Sequence, residues 1–310
     1  MTNDQNLLDA FISHAIDENL CINYVRIIRD GELSASYDRI RKTRLPVWSI
    51  SKGFTSVGVG IALDEGLLSL DEKVVDIFPE YCPKNPSKYL DKITIKHLLT
   101  MSSGVNGMES FDSETVHPAN VDFLQKFMCA DFVEPGTRWE YSSLSTYIVG
   151  RVIAKRSGID LVDYLKPRLF DKLGIYNPYW AKCPAGFSYA GFGLQLSIDD
   201  LAKFSQLLLG YGEYNKKRIV SKEYMLEATS NQMDNSIMLS GDKRAFWGYG
   251  YGYQFILNPK EGFRSDGMFG QFAIAIPSKG VSVAMMSLDD NTARIGTLLY
   301  EDVINVISSI

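Results

Sequence analysis

Ser49-Ile50-Ser51-Lys52 places a serine hydroxyl one helical turn ahead of a lysine, with Trp48 before it and an apolar run behind. Residues three apart share a helix face and lean toward the N-terminus, so Lys52 can reach back to the Ser49 oxygen as a base reaches its nucleophile. A serine at a helix start also lies where free backbone N–H groups favour developing negative charge. Spacing alone does not select this pair, because Ser240-Gly241-Asp242-Lys243 repeats it. The surroundings do. Phe54, Val57, Val59, Ile61, Ala62 and Leu63 follow Lys52, and Gly66 marks a helix stop, which together predict a buried helix. The second copy has Gly-Asp between its ends and Asp234, Asn235 and Arg244 around it, the composition of a solvated loop.

A lysine that takes a proton from serine must be neutral when it does so, and burial beside another hydrogen-bonding group is the usual means. A tyrosine can share the proton handling. Tyr141 is the candidate: Glu134-Pro135-Gly136-Thr137 turns the chain into an aromatic stretch, and Ser142 and Ser143 follow it. A site of this kind also needs a strand whose backbone can lie against the substrate. Ser265-Asp266-Gly267-Met268-Phe269-Gly270-Gln271 fits, because Gly267 and Gly270 permit close approach next to an apolar strand.

Two strands, Cys21 to Ile28 and Leu33 to Tyr37, flank the turn pair Asp30-Gly31 and follow an amphipathic helix marked by Leu7, Leu8, Phe11, Ile12 and Ile16. From Ser69 the pattern turns helical. Ser69-Leu70-Asp71-Glu72 has the form of a capping box, and helices are predicted over Thr94 to Met101, Val121 to Met128, Ser142 to Arg156, Asp160 to Phe170, Ile198 to Leu209 and Ser221 to Ala228. Beyond residue 245 the periodicity becomes strand-like, in Tyr249 to Tyr253, Gln271 to Ile276 and Val281 to Ser287, before a last helix from Ile295 to Ile307. Strands at both ends with helices between them predict one α+β unit: a sheet lobe from 1–66 and 215–310, and a mainly helical lobe from 67–214.

With 310 residues, 45% of them hydrophobic, the chain can bury a real core. Its net charge of −5 is spread without long like-charge runs, which argues against nucleic acid and polybasic membrane contacts. Cys21, Cys82, Cys129 and Cys183 form no C-x-x-C pair, so reduced, mostly buried thiols are expected. His14, His97 and His117 show no ligand spacing, and neither a metal nor a cofactor is expected. Met1 to Leu20 lacks the basic and apolar regions of a signal peptide, and no apolar stretch approaches the ~20 residues that span a bilayer, so a cytoplasmic location is expected.

These motifs, in this order, resemble those of the penicillin-recognising serine hydrolases, the S-x-x-K enzymes that include class C β-lactamases, D,D-peptidases, family VIII carboxylesterases and 6-aminohexanoate-dimer hydrolases. Leu67 to Asp71, His97-Leu98-Leu99-Thr100, Ser102-Ser103-Gly104 and Glu134 to Thr137 extend the resemblance from about Ser49 to Val283. It implies a β-lactamase-like antiparallel sheet flanked by helices, with an all-helical lobe and the serine in the cleft between them. It also implies Ser49 as acylated nucleophile, Lys52 as its base, Tyr141 as second proton carrier, and the backbone N–H groups of Ser49 and Met268 as the oxyanion hole. The resemblance further implies that Ser143, Ser265 and Gly267 face the substrate.

Two positions depart from the family pattern. Tyr141-Ser142-Ser143 stands where Tyr-x-Asn is usual, and Ser265 where Lys or His usually helps hold a substrate carboxylate. The absence of that base argues against D,D-peptidase and β-lactamase activity and places the chain nearest the esterase and 6-aminohexanoate-dimer hydrolase branch. The expected activity is acyl-enzyme hydrolysis of a small ester, amide or peptide. A sensor-like member that binds without turnover, or a weak D,D-peptidase or β-lactamase, are the alternatives. Taken singly, each residue has a plainer reading: a cap serine and solvated lysine for Ser49 and Lys52, a packed aromatic for Tyr141, turn serines for Ser143 and Ser265, and sheet packing for Tyr249 and Tyr251. A Ser-His-Asp hydrolase is disfavoured, since no G-x-S-x-G elbow occurs.

Overall fold

Asp30 and Gly31 take φ of 50° and 84°, the left-handed pair a two-residue hairpin requires, and fold β1 (Ile22–Arg29) back on β2 (Glu32–Asp38). The computed structural model describes residues 3–105, 121–239 and 247–309. Within them the hairpin joins four strands from the far end of the chain: β8 (Ile256–Leu257), β9 (Phe263–Gly267), β10 (Gln271–Ile276) and β11 (Val281–Ser287). The antiparallel order is β2-β1-β11-β10-β9-β8, with Val25 opposite Met285 and Gln271 opposite Gly267. Both faces of the central strands are covered, which is why β10 and β11 read as continuous apolar runs.

The outer face, through Val25, Ile27, Phe272, Ile274 and Val283, packs on α1 (Asn3–Asp17) and on the C-terminal helical segment. The inner face carries Ala273, Ala275 and Ala284, whose small side chains leave room for the helix Ile198–Leu209 to lie on β10 and β11. Helix α2 (Ser51–Asp64) begins just after the 3-10 turn Trp48–Ile50, and every residue from Ser51 to Ala62 is buried, as predicted. Its glycines are sites of contact: a Cβ at Gly60 would lie 2.4 Å from the Tyr224 ring. The helix stops where expected, with Gly66 at φ 68° and backbone bonds Gly66 N–H to Leu63 O and Leu67 N–H to Ala62 O, the paired pattern of a left-handed C-cap.

The middle of the chain is helical: α3 (Val74–Ile77), α4 (Ile95–Leu99), α5 (Phe123–Met128), α6 (Ser143–Ser157) and α7 (Leu161–Leu165), then α8 (Ile198–Leu209) and α9 (Lys222–Ala228). Cap residues set several starts, Thr94, Asp122, Ser142 and Ser197 each accepting a backbone N–H with its side chain. The chain ends in α10 (Thr292–Leu299), a π-turn, and α11 (Asn305–Ser309).

Several local expectations change. Ser69 to Glu72 starts no helix. Glu72 accepts the Ser69 N–H at 2.6 Å, but the chain continues into a bridge between Lys73 and Thr94, so the box closes a turn. Tyr249 to Tyr253 is not a strand, because Gly250 at φ 124° breaks the extended path and, among the described residues, Tyr251 keeps only isolated bridges to Met233 and Ile256. Tyr249 is 42% exposed and Tyr251 1%, so they do not share one face toward a cleft. Ile16 faces solvent, and only Cys183 of the four free thiols is buried, Cys82 and Cys129 being exposed. A small sheet, β3 (Leu45–Pro46) with β5 (Leu194–Leu196) and β4 (Tyr179–Trp180), and the hairpin of β6 (Glu213–Tyr214) with β7 (Lys217–Arg218) were not foreseen, since two- and three-residue strands carry no periodicity. Ser240 to Lys243, Arg244 and His117 lie outside the described residues. Among the described residues no helix is long and apolar enough to cross a membrane.

Candidate active site

Ser49 is the middle residue of the 3-10 turn that leads into α2. Trp48 before it sits at φ 49°, a left-handed conformation that costs a side-chain-bearing residue about 1–2 kcal/mol. Neighbours on two sides hold it there. Val47 N–H donates to Leu194 O of β5 at 2.9 Å, and β9 lies against the other side. Gly267 is glycine because of that approach and not because of its φ: a Cβ there would sit 2.4 Å from Val47 O and 3.1 Å from both Ser49 N and Trp48 Cβ. The backbone leading into Met268 therefore runs beside Ser49 N, while the Met268 side chain is 56% exposed.

Lys52 is 2% exposed. Its Nζ donates to Ser49 Oγ at 3.0 Å, to Ser143 Oγ at 2.8 Å and to Gly191 O at 2.9 Å, all neutral oxygens. A neutral amine keeps two N–H groups and one lone pair. With Ser143 and Gly191 accepting the two N–H groups, the lone pair is left for the Ser49 hydroxyl, which is the arrangement proton abstraction requires. The Tyr141 ring lies over the same nitrogen, its centroid 4.6 Å away, at the edge of the site and part-exposed.

The Tyr141 segment is placed by its backbone: Gly136 N–H donates to Ser102 O and Glu140 N–H to Met101 O, both at 2.8 Å. That is the physical use of the Ser102-Ser103-Gly104 motif, where a Cβ at Gly104 would collide with Val133 O. Ser142 then caps α6 and its first residue, Ser143, turns its hydroxyl to Lys52 with the side chain 5% exposed.

Sequence reading missed the loop before β5. Thr55 Oγ1 donates to Ala190 O at 2.9 Å, one helical turn along α2 from Lys52, whose own bond goes to Gly191 O. Ala190 holds φ 62°, and Gly191 comes so close to α6 that a Cβ would lie 3.1 Å from Ser143 Cβ. The glycines flanking Phe192 were the available signal, but nothing in the local sequence pairs them with residue 52.

Ser265 lies on the α2 side of β9, 3% exposed, its Oγ 3.0 Å from where a Cβ at Gly53 would be. Alternation along the strand sends Arg264 and Asp266 to the outer face, opposite Ile274 and Phe272. There the fully buried Arg264 donates to Asp266 Oδ2 at 3.3 Å and Asn258 Oδ1 at 3.0 Å, and Trp247 Nε1 also donates to Asp266. The cation next to this motif in sequence thus faces away from Ser49. Burial pulls the Arg264 guanidinium below its usual value, against the attraction of Asp266. Burial, then the nearby Tyr141 and Asp266, push the Tyr251 phenol well above the ordinary range, so it stays protonated. His14 pairs with Glu18 and Asp302, and His97 caps α4. Among the described residues no cluster of His, Cys, Asp or Glu could hold a metal ion.

A family model described as Beta-lactamase matches residues 24–303 of this chain. Penicillin-binding protein 4* of Bacillus subtilis (strain 168) is 28% identical over 134 residues, 41% of this chain and 28% of that protein. Penicillin-binding protein 4 of Amycolatopsis lactamdurans is 24% identical over 303 residues, 84% of this chain and 76% of that one. The match to the first of these therefore spans under a third of its length. Among solved structures, a D-stereospecific amidohydrolase from Streptomyces sp. superposes with a TM-score of 0.74 at 18% identity, covering 97% of this chain and 99% of that one, a likeness of fold.

Proposed function

Because the chain belongs to the Beta-lactamase family, we propose that it is a serine hydrolase that acylates Ser49 and releases the acyl group to water. The Lys52 amine, 3.0 Å from Ser49 Oγ and committed through its remaining hydrogens to Ser143 and Gly191, is the observation that carries this reading. Lys52 takes the Ser49 proton as Oγ attacks the substrate carbonyl. The tetrahedral oxyanion is held by the Ser49 and Met268 N–H groups, where one donor is typically worth ~10²–10³ in rate. Tyr141, over the Lys52 nitrogen, passes a proton to the leaving group, and water then attacks the acyl-enzyme along the reverse proton path.

The substrate we propose is a small ester or amide with no carboxylate for the third motif to grip. Ser265 stands at that motif with its hydroxyl tucked against Gly53, and Arg264 is turned to the outer face. The test is turnover of p-nitrophenyl esters and anilides by the wild type and by Ser49→Ala, with a fluorophosphonate probe to report the nucleophile. Turnover and stoichiometric labelling that both vanish in Ser49→Ala are expected. Retained turnover in that variant would sink the assignment, and labelling without turnover would favour a sensor-like role.

A further inference from the structure

Left-handed, non-glycine residues flank both N–H groups assigned to the oxyanion hole. Trp48, at φ 49°, immediately precedes Ser49, and Phe269, at φ 63°, immediately follows Met268. Such positions favour glycine, and a bulky residue persists there only where its surroundings over-determine it. The two rings meet, with centroids 5.0 Å apart and planes inclined at 48°. The Phe269 turn is tied from behind: Phe269 O accepts from Gln271 Nε2 at 3.1 Å and from Asp289 N–H at 3.4 Å, and Gly270 N–H donates to Thr292 Oγ1 at 3.2 Å. Trp48 has no comparable side-chain tether, since its Nε1 is buried without a hydrogen-bond partner among the described residues. Packing sets the position of its ring.

We propose that Trp48 and Phe269 form a latch that fixes the separation of the Ser49 and Met268 N–H groups. Both are positioning residues, acting through the backbone of the residue beside them. The two N–H groups belong to different parts of the chain, one at the entry to α2 and one after β9, and each follows or precedes a residue under backbone strain. The hydrogen bonds behind Phe269 hold its turn in place, so losing the ring contact lets the Trp48 turn shift relative to it. An oxyanion hole works only with donors about 2.7–3.1 Å from the developing charge, so relaxation by a few tenths of an ångström is felt in the transition state and hardly in ground-state binding. The inference rests on the acyl-enzyme reading above.

The experiment compares Trp48→Gly, Phe269→Gly, their double variant, Trp48→Phe and Phe269→Tyr, using p-nitrophenyl butyrate turnover, fluorophosphonate labelling and thermal melting. Glycine tolerates φ near +50° to +60°, so the two glycine variants remove the ring without forbidding the backbone conformation. Each glycine variant is expected to lose about 10- to 100-fold in kcat with KM within about twofold. The aromatic replacements should return kcat to within about threefold of wild type. The double variant should be no slower than the slower single variant, because both remove one contact. Wild-type kcat in both glycine variants would overturn the latch, and so would a double variant whose loss is the product of the single losses. A wild type that neither turns over nor labels refutes the hydrolase reading and the latch with it. A wild type that does both while every variant matches it refutes the latch alone.

Discussion

Gly267→Ala is the sharpest probe of how β9 serves the proposed nucleophile, Ser49. A methyl at this position would stand 2.4 Å from Val47 O, about 0.6 Å inside the 3.0 Å that real Cβ atoms keep, and 3.1 Å from Ser49 N and Trp48 Cβ. The opposing atoms are backbone and the root of a side chain, so no flexible tip can swing aside. Relief must come from β9 and the 48–50 turn moving apart by at least that amount. Donors in an oxyanion hole act over a window of about 2.7–3.1 Å, so such a shift takes the Met268 N–H out of range and costs ~10²–10³ in kcat, about 2.7–4 kcal/mol. Overpacking of this kind costs about 1–3 kcal/mol of stability, enough for a melt several degrees lower but not for unfolding a domain of this size. The assay is steady-state p-nitrophenyl ester hydrolysis beside a melting curve. A Gly267→Ala protein with kcat within about threefold of wild type would refute the reasoning, since the clash would then have been absorbed without disturbing the hole.

Ser143→Ala removes an oxygen that accepts from Lys52 Nζ and loosens the aim of the amine at Ser49; kcat should fall about 10- to 100-fold while KM changes little, as steady-state kinetics would show. Unchanged kcat would mean that Ser143 is not needed to aim the amine. His97 concerns stability. Its Nδ1 accepts the Thr94 N–H at 3.2 Å, and burial holds the imidazole below its ordinary 6.5. The unfolded chain therefore binds the proton first as pH falls, and the stability this group contributes is present above about 6.5 and lost as pH drops through the lower folded value. His97→Gln keeps a capping-box residue that cannot titrate, so melting curves from pH 7 down to about 5 should fall less steeply for it than for wild type. Equal slopes would remove His97 from the acid response.

Much of this protein is local and could be read in the chain. The Asp30-Gly31 hairpin, the buried α2 with its Gly66 stop, Gln271 to Ile276, Val281 to Ser287 and Ile198 to Leu209 follow from turn chemistry, apolar content and caps, each acting within a few residues. The reach of Lys52 to Ser49 is of the same kind, fixed by three residues of helical geometry. What sequence read as a strand at Tyr249 to Tyr253 failed because alternation of glycine and tyrosine imitates a pleat, while Gly250 and Gly252 are there for a bend and for close passage past Ala228. Only the tertiary structure could decide the rest of the site. Lys52 meets Ser143 from 91 positions away and Gly191 from 139, and Gly267 meets Ser49 through a strand that arrives from the far end of the chain. Those contacts depend on how a sheet built from both termini packs against a helical middle, and no propensity or spacing within any one segment encodes that distance.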